Sequence, residues 1–355
     1  MTIPSRPNDP QVGGSRGGVG GTPPLKVVGT PPLKITVPDD FPPAVTGSTA
    51  EARLRALGEL TIHTERGADQ ESELIRRIHN AEVVLNIRAH ARFTDRVLQH
   101  APRLRLISIW GTGVDNVDLE AAGRRGVTVT NTPAVNADAV AEHAIALMLA
   151  VMRRVPAFDR DVRSGQWPRG LLVQARGKTL GLVGLGAIGS RVAAIARALG
   201  MTVLAWTYRR DDARATAAGA RPASLEAVLR EADVVSLHLR LSAETRGFLG
   251  ADRLALMKPA AFLVNTARGA LVDKEALVAA LRDARLAGAA LDVFHEEPVP
   301  AGDPVLTLPN VVLTPHNAGM TREVIEAGLH RAVENIERFL QGAPTDVVVA
   351  PDTPR

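Results

Sequence analysis

Short apolar runs alternate with stretches of helical periodicity along most of the chain. Leu33-Lys34-Ile35-Thr36-Val37 reads as a first strand, followed by helical signals over 52–60 and 71–78, a strand over 83–87, and two more over 104–109 and 127–129. Strands separated by amphipathic segments predict a small parallel-sheet domain, because each crossover helix covers the sheet it returns along.

A long helical pattern over 139–154 follows Asn136 and Asp138, and its Ile145, Ala146, Leu147, Met148, Leu149, Val151 and Met152 nearly surround the axis. A helix apolar on most faces needs partners on most faces. It is expected at a domain junction, packed against both lobes or against a second subunit. His143 within it reads as a hydrogen-bonded structural histidine. A second alternating series begins near Lys178, with strands over 179–183, 202–205, 234–238, 261–265, 289–293 and 311–314. This is the rhythm of an open parallel sheet covered on both faces. After Pro315, the periodic segment 322–340 reads as a helix returning to the first domain.

Glycines suggest what the second sheet is for. Gly184-Leu185-Gly186-Ala187-Ile188-Gly189 follows the apolar strand 179–183 and opens a helical run. Gly184 permits a tight turn, Gly186 lets backbone approach a phosphate, and Gly189 lets the helix pack closely on the strand. The helix N-terminus adds amide donors and positive potential. Alone the motif is weak; between a strand and a helix it predicts a dinucleotide pyrophosphate site.

The expected architecture is therefore α/β, with two parallel-sheet domains. The larger is a Rossmann-type dinucleotide-binding domain over 131–317. The smaller is flavodoxin-like and discontinuous, built from 27–130 and a return helix over 318–342. A Gly- and Pro-rich disordered tail is expected over 1–26 and a C-terminal tail over 343–355.

About twenty residues past the glycines, an NAD-selective site places an acid on the adenosine ribose diol. Thr207 stands there, followed by Arg209 and Arg210. A missing carboxylate removes repulsion toward a 2′-phosphate, and guanidinium groups grip that phosphate bidentately. The expected cofactor is NAD or NADP, with these three residues tilting the choice toward NADP. In the opposing reading both arginines face solvent and Asp211 or Asp212 neutralises them.

Composition narrows the function classes. Lys plus Arg number 42 against 38 Asp plus Glu, and the net +4 is too small and dispersed to define a nucleic-acid face. Seven Phe, three Trp and one Tyr in 355 residues offer no base-stacking surface. The absence of cysteine excludes disulfides and thiol chemistry and is compatible with the expected cytoplasmic setting. No apolar run predicts a signal peptide or a membrane span.

Three strand ends carry candidate chemistry. Arg268, in Asn265-Thr266-Ala267-Arg268-Gly269, is a fixed planar cation suited to gripping a carboxylate and polarising an adjacent carbonyl. Glu297 follows the strand over 289–293, and His316 follows the one over 311–314. If these ends converge, Glu297 orients His316 and favours its protonated form. His316 then gives a proton to a substrate oxygen during reduction and takes it back during oxidation. His295 competes as a base, and a metal held by His295, Glu297 and His316 is conceivable, but no compact ligand spacing supports it and no metal is expected. Ser236 near His238 lacks a GxSxG elbow and makes no serine triad.

The joint presence and order of Gly111-Thr112-Gly113-Val114-Asp115-Asn116-Val117-Asp118, Val140-Ala141-Glu142-His143, Gly184 to Gly189, Asn265 to Gly269, Asp292 to Pro298 and Thr314 to Gly319 resemble the D-isomer-specific 2-hydroxyacid dehydrogenases over about residues 30–342. The resemblance implies that Arg268 binds and polarises substrate, Glu297 is the acidic partner and His316 the general acid or base. Ala187 and Ile188 would contact the cofactor pyrophosphate and Thr207 the adenosine ribose. Thr266, Ala267, Arg268, Asp292, His316 and Gly319 would surround the nicotinamide end, with His238, Leu239, Arg240 and Thr245 along the cofactor cleft. Arg240 departs from the proline often found after the family's equivalent of Leu239. Arg88, Ala89 and Gly113 would hold the substrate carboxylate from the smaller domain, and His90 is a pocket candidate if its loop points inward.

The implied activity is reversible reduction of a small 2-oxoacid to a D-2-hydroxyacid, with glyoxylate and hydroxypyruvate as first substrates and a homodimer formed through the cofactor domain. A 3-phosphoglycerate dehydrogenase-like enzyme is the alternative. In a different class stands an NAD(H)-responsive, corepressor-like binding protein.

Overall fold

The apolar runs of the amino-terminal third gather into one sheet. In the computed structural model, which describes residues 31–351, β1 (Lys34–Val37), β2 (Glu59–Ile62), β3 (Val83–Asn86), β4 (Leu106–Ile109) and β5 (Thr128–Thr130) run parallel in the order β2-β1-β3-β4-β5. The tail expected over 1–26 lies outside the described residues. Every residue of β3 and β4 is buried, so both read as continuous apolar runs without alternation.

The second sheet joins β6 (Thr179–Val183), β7 (Thr202–Trp206), β8 (Arg221–Pro222), β9 (Val234–Leu237), β10 (Phe262–Asn265), β11 (Gly288–Leu291) and β12 (Val311–Leu313). Their order is β8-β7-β6-β9-β10-β11-β12, all parallel. Strand order reverses between β6 and β9, and in the smaller sheet between β1 and β3. In doubly wound sheets, ligands bind outside the carboxyl ends of strands at such reversals. Both sheets belong to one compact unit that starts at Leu33.

The helix Arg322–Leu340 packs against the first sheet. Thr321 caps it by accepting from the Val324 amide at 3.2 Å. It packs on the helix Thr49–Leu57 and on β4, where the Ser108 hydroxyl donates to the Ala332 carbonyl at 2.9 Å. Beyond it, the segment expected as a tail contains a further strand, β13 (Val347–Val349), antiparallel to β5. An Arg331–Asp346 ion pair at 2.6 Å and a Thr345–Asn335 hydrogen bond at 2.9 Å tie that segment down.

Two other differences have local causes. The first helix starts at Thr49 because Ser48 caps it, and it stops before Gly58, whose Cβ position would lie 2.2 Å from the Leu33 carbonyl oxygen. Glu59 and Leu60 therefore enter β2 instead of extending the helix. The apolar helix spans Ala137–Met152 and buries its sides within the cofactor lobe, against the helix Ala187–Ala198 and β10, β11 and β12. Core packing thus accounts for most of its apolarity, while Ala146 stays exposed and Leu149 and Ala150 half-buried. Exposed apolar side chains follow it: Val155, Val162, Trp167, Leu171 and Leu172. Among the described residues no helix is long and apolar enough to cross a membrane.

Candidate active site

The loops after β10, β11 and β12 meet on one side of the larger sheet. Asn265 shapes the first, accepting from the Ala267 amide at 3.0 Å and donating to the Arg268 carbonyl at 2.9 Å. Gly269 lies so close to the second that a Cβ would sit 2.2 Å from the Phe294 carbonyl carbon. There Glu297 accepts from the Phe294 amide at 2.9 Å, and its other oxygen lies 2.6 Å from His316 Nδ1. Burial acts to raise the Glu297 carboxyl. The His316 hydrogen bond and charge, the Phe294 amide and the Arg268 charge outweigh it and hold the group below the usual carboxylate range.

His316 itself has φ +53°, in the left-handed region that a non-glycine residue occupies only when its surroundings impose it. Asp292, fully buried, imposes it. Its Oδ1 accepts from the Thr314 hydroxyl at 2.6 Å and the Asn317 amide at 3.1 Å, and its Oδ2 from the Ala318 amide at 3.0 Å. Both oxygens are thereby used, so Asp292 acts through the His316 loop. His143 Nε2 lies 3.1 Å from the same Thr314 hydroxyl, whose proton is committed to Asp292. His143 is therefore the donor, in the structural role expected of it. His295 lines a recess of about 40 Å³ with Lys274 and Asp303. No group of three or more His, Asp or Glu among the described residues is arranged to hold a metal.

Arg268 reaches across to the smaller sheet. Its Nη1 donates to the Ala267 carbonyl at 2.8 Å, while Nε and Nη2 approach the Asp115 carboxylate at 3.1 to 3.3 Å. A Cβ on Gly113 would lie 2.0 Å from Arg268 Nη2, so the loop after β4 meets the arginine. Asp115 was legible only as part of a motif; a lone carboxylate on a loop facing the arginine's cleft was the available signal.

The remaining substrate candidates are unequal. The amides of Ala89 and Gly113 donate to no other described residue, and Ala89 is exposed. Arg88 donates through Nη2 to the Pro42 carbonyl, leaving a buried Nε without a partner. Burial pulls its guanidinium below the usual value, against the opposing charges of Asp40 and Asp39. His90 pairs with the buried Asp39 at 3.1 Å.

The cofactor candidates line the other end of the crevice. At Gly184, φ is +104° and a Cβ would meet the His238 carbonyl oxygen at 2.6 Å. On Gly189 a Cβ would meet the Gly184 carbonyl oxygen at 2.5 Å. Gly186 faces open space at the start of the helix Ala187–Ala198, where Ala187 and Ile188 form the first turn. The Thr266 hydroxyl is buried without a partner beside Ala267 and Arg268. An open cradle at a helix N-terminus and an orphaned hydroxyl at the end of β10 both fit a bound dinucleotide.

Of the residues flanking β9, Leu239 packs by Gly184 and Arg240 is exposed. Thr245 turns inward, donating to the Arg240 carbonyl at 2.7 Å and accepting from the Ser242 amide at 2.8 Å. Burial pulls the His238 ring down to about 4 and Ser236 lies 2.9 Å from its Nε2, so at neutral pH it offers phosphate no charge. Gly319 packs against Asn136, its Cβ position 3.4 Å from that side chain, where the two crossings between lobes touch.

Thr207 donates its hydroxyl to the Arg209 carbonyl at 2.7 Å. Arg210 is held bidentately by Asp212 at 2.7 to 3.0 Å, and Asp211 caps the next helix and pairs with Arg214. The opposing reading thus holds except at one point: both arginines face solvent and Arg210 is neutralised, whereas Arg209 pairs with no other described residue. A cavity of about 360 Å³ opens here, lined by Trp206, Thr207, Arg210, Asp212, Pro222 and Ser224. It lies beside β7 and not beside His316.

Comparison with known proteins agrees with this arrangement. Residues 145–318 match the family model described as D-isomer specific 2-hydroxyacid dehydrogenase, NAD binding domain. The chain is 47% identical over 262 residues to a glyoxylate reductase of Aeropyrum pernix, covering 70% of this chain and 78% of that one. Over 288 residues it is 39% identical to a D-3-phosphoglycerate dehydrogenase of Archaeoglobus fulgidus, covering 80% of this chain and 54% of the relative. The crystal structure of the TT0316 protein from Thermus thermophilus superposes with a TM-score of 0.79 at 40% identity, covering 89% of this chain and all of that one. The chain belongs to the D-isomer-specific 2-hydroxyacid dehydrogenase family and is an NAD(P)-dependent oxidoreductase that interconverts 2-oxoacids and 2-hydroxyacids.

Proposed function

We propose that this enzyme reduces glyoxylate or hydroxypyruvate, with Arg268 anchoring the substrate carboxylate and polarising its carbonyl. The nicotinamide cofactor, when bound, supplies the hydride that adds to the carbonyl carbon. His316 delivers a proton to the resulting alkoxide oxygen, and Glu297 stabilises the imidazolium before that transfer. The free amides of Ala89 and Gly113 complete the carboxylate seat. The observation that carries this reading is the 2.6 Å His316–Glu297 pair on the same side of the sheet as Arg268, whose charge Glu297 senses.

Arg88 and His90 favour a small substrate over a phosphorylated one. Arg88 donates to the Pro42 carbonyl beside Asp39 and Asp40, and His90 pairs with Asp39, so neither side chain meets a phosphate without leaving its present partner. NADPH is the preferred cofactor in this reading, supported by Thr207 in the acidic position and by Arg209, which no other described residue pairs. The homodimer forms through the cofactor lobe, supported by the exposed Val155, Val162, Trp167, Leu171 and Leu172. A cytoplasmic setting is compatible with the absence of cysteine.

The test is a spectrophotometric matrix of NADH and NADPH against glyoxylate, hydroxypyruvate, pyruvate, branched 2-oxoacids and phosphohydroxypyruvate. Highest kcat/KM with glyoxylate or hydroxypyruvate supports the reading. Preference for phosphohydroxypyruvate selects the alternative, and tight dinucleotide binding without turnover selects the corepressor-like class.

A further inference from the structure

Arg268 and Asp115 come from different sheets, one on the loop after β10 and the other on the loop after β4. The Asp115 loop is firmly framed: the Asp118 amide donates to the Phe93 carbonyl at 2.9 Å, the Asn116 carbonyl accepts from the Phe93 amide at 2.8 Å, and the Asn116 side chain donates to the Ala91 carbonyl at 2.8 Å. The carboxylate thus meets Arg268 from a fixed point. It takes the Nε and Nη2 side of the guanidinium, while Nη1 is tied back to Ala267. The N–H bonds left over lie at the far end, on Nη1 and Nη2. They form the fork that an incoming carboxylate needs.

We infer that Asp115 is a positioning residue, one that sets the plane of Arg268 from across the cleft so that the guanidinium presents this end to the substrate. This rests on Arg268 being the substrate-binding arginine. An arginine side chain has several rotatable bonds, and fixing them before substrate arrives removes an ordering cost from the binding step. The two partners stand on opposite lobes, so the arginine is set only when the lobes are together. Gly113 belongs to the same device, since any larger residue there would displace Nη2.

The experiment compares the full-length enzyme with D115A, D115N, R268A and the D115A/R268A double variant. It measures glyoxylate kcat/KM, oxalate affinity with reduced cofactor bound, and cofactor affinity by nicotinamide fluorescence. D115A should lower kcat/KM and oxalate affinity together by about tenfold or more, with cofactor affinity within about twofold. D115N keeps one acceptor and should recover part of the loss. In the R268A background, removing Asp115 should change either quantity less than about twofold, because coupled residues are not additive.

Tighter oxalate binding in D115A would show that Asp115 competes for the seat and would overturn the inference. So would a loss that adds in full to that of R268A, or no loss at all. Wild-type turnover by R268A would instead overturn the role given to Arg268 itself.

Discussion

His316 Nδ1 and Glu297 Oε2 lie 2.6 Å apart, so one ring nitrogen is committed to a carboxylate and Nε2 is left as the one to exchange a proton with substrate. Glu297 is held below the usual carboxylate range: burial opposes this, but the His316 bond and charge prevail. A depressed carboxyl contributes stability that is present above its unfolded value and lost as pH falls through its folded one, so the pair is intact across neutral pH. E297Q keeps the shape of the side chain but removes the carboxylate that holds His316 Nδ1, so kcat/KM should fall by about 10- to 100-fold. Glyoxylate kinetics of both proteins check this, and an unchanged kcat/KM would contradict it.

The glycines of the cofactor loop separate folding from binding. A methyl on Gly186 meets nothing within 4 Å, whereas on Gly184 or Gly189 it meets backbone at 2.6 or 2.5 Å. G186A should keep the wild-type unfolding midpoint and lose cofactor affinity, because the added carbon enters the ground where backbone approaches phosphate. G184A should be destabilised by about 1–2 kcal/mol or more, from its positive φ together with the collision. Denaturant unfolding and cofactor titration of the two variants measure both effects.

Much of this was legible in the sequence, and the failures share a cause. Strands buried on both faces, such as β3, β4, β9 and β10, announce themselves as apolar runs, as does the buried side of the helix Arg322–Leu340. The strands that went unread, β2, β8 and β13, are short and lie at sheet edges. Their half-exposed residues, among them Glu59, Arg221 and Val347, carry little pattern. The apolar helix was read correctly as buried, but periodicity cannot say which partner buries it. Arg268, Glu297 and His316 stood out because charged residues at apolar strand ends are expensive without a task. Asp115 did not, because a lone carboxylate in a polar loop is a weak signal until the opposite lobe is in place.

Arg209 and Arg210 are adjacent but not equivalent. Asp212 holds Arg210 bidentately, while Arg209 pairs with no other described residue. R209A should weaken NADPH more than NADH by about 5- to 10-fold, on the scale of one charge-assisted phosphate contact. R210A should change the preference less. Paired titrations with both reduced cofactors test this, and equal effects of the two substitutions would contradict the assignment.

Asp292 carries no free oxygen, yet the His316 loop depends on it. D292A removes the acceptor of the Thr314 hydroxyl and of the Asn317 and Ala318 amides, the last of them buried, at a cost of about 1–3 kcal/mol. Urea unfolding should show that loss. D292N should also be destabilised, because its amide nitrogen replaces an acceptor with a donor.

The central claim is that Arg268 and His316 serve one small acid held between the two lobes. Its most direct measurement is glyoxylate-dependent oxidation of reduced nicotinamide by the wild type, H316A and R268A, with cofactor affinity measured on the same preparations. H316A should lose about 10²- to 10⁴-fold in kcat, R268A should lose chiefly in kcat/KM, and both should bind cofactor as the wild type does. Wild-type turnover in either variant would contradict the account.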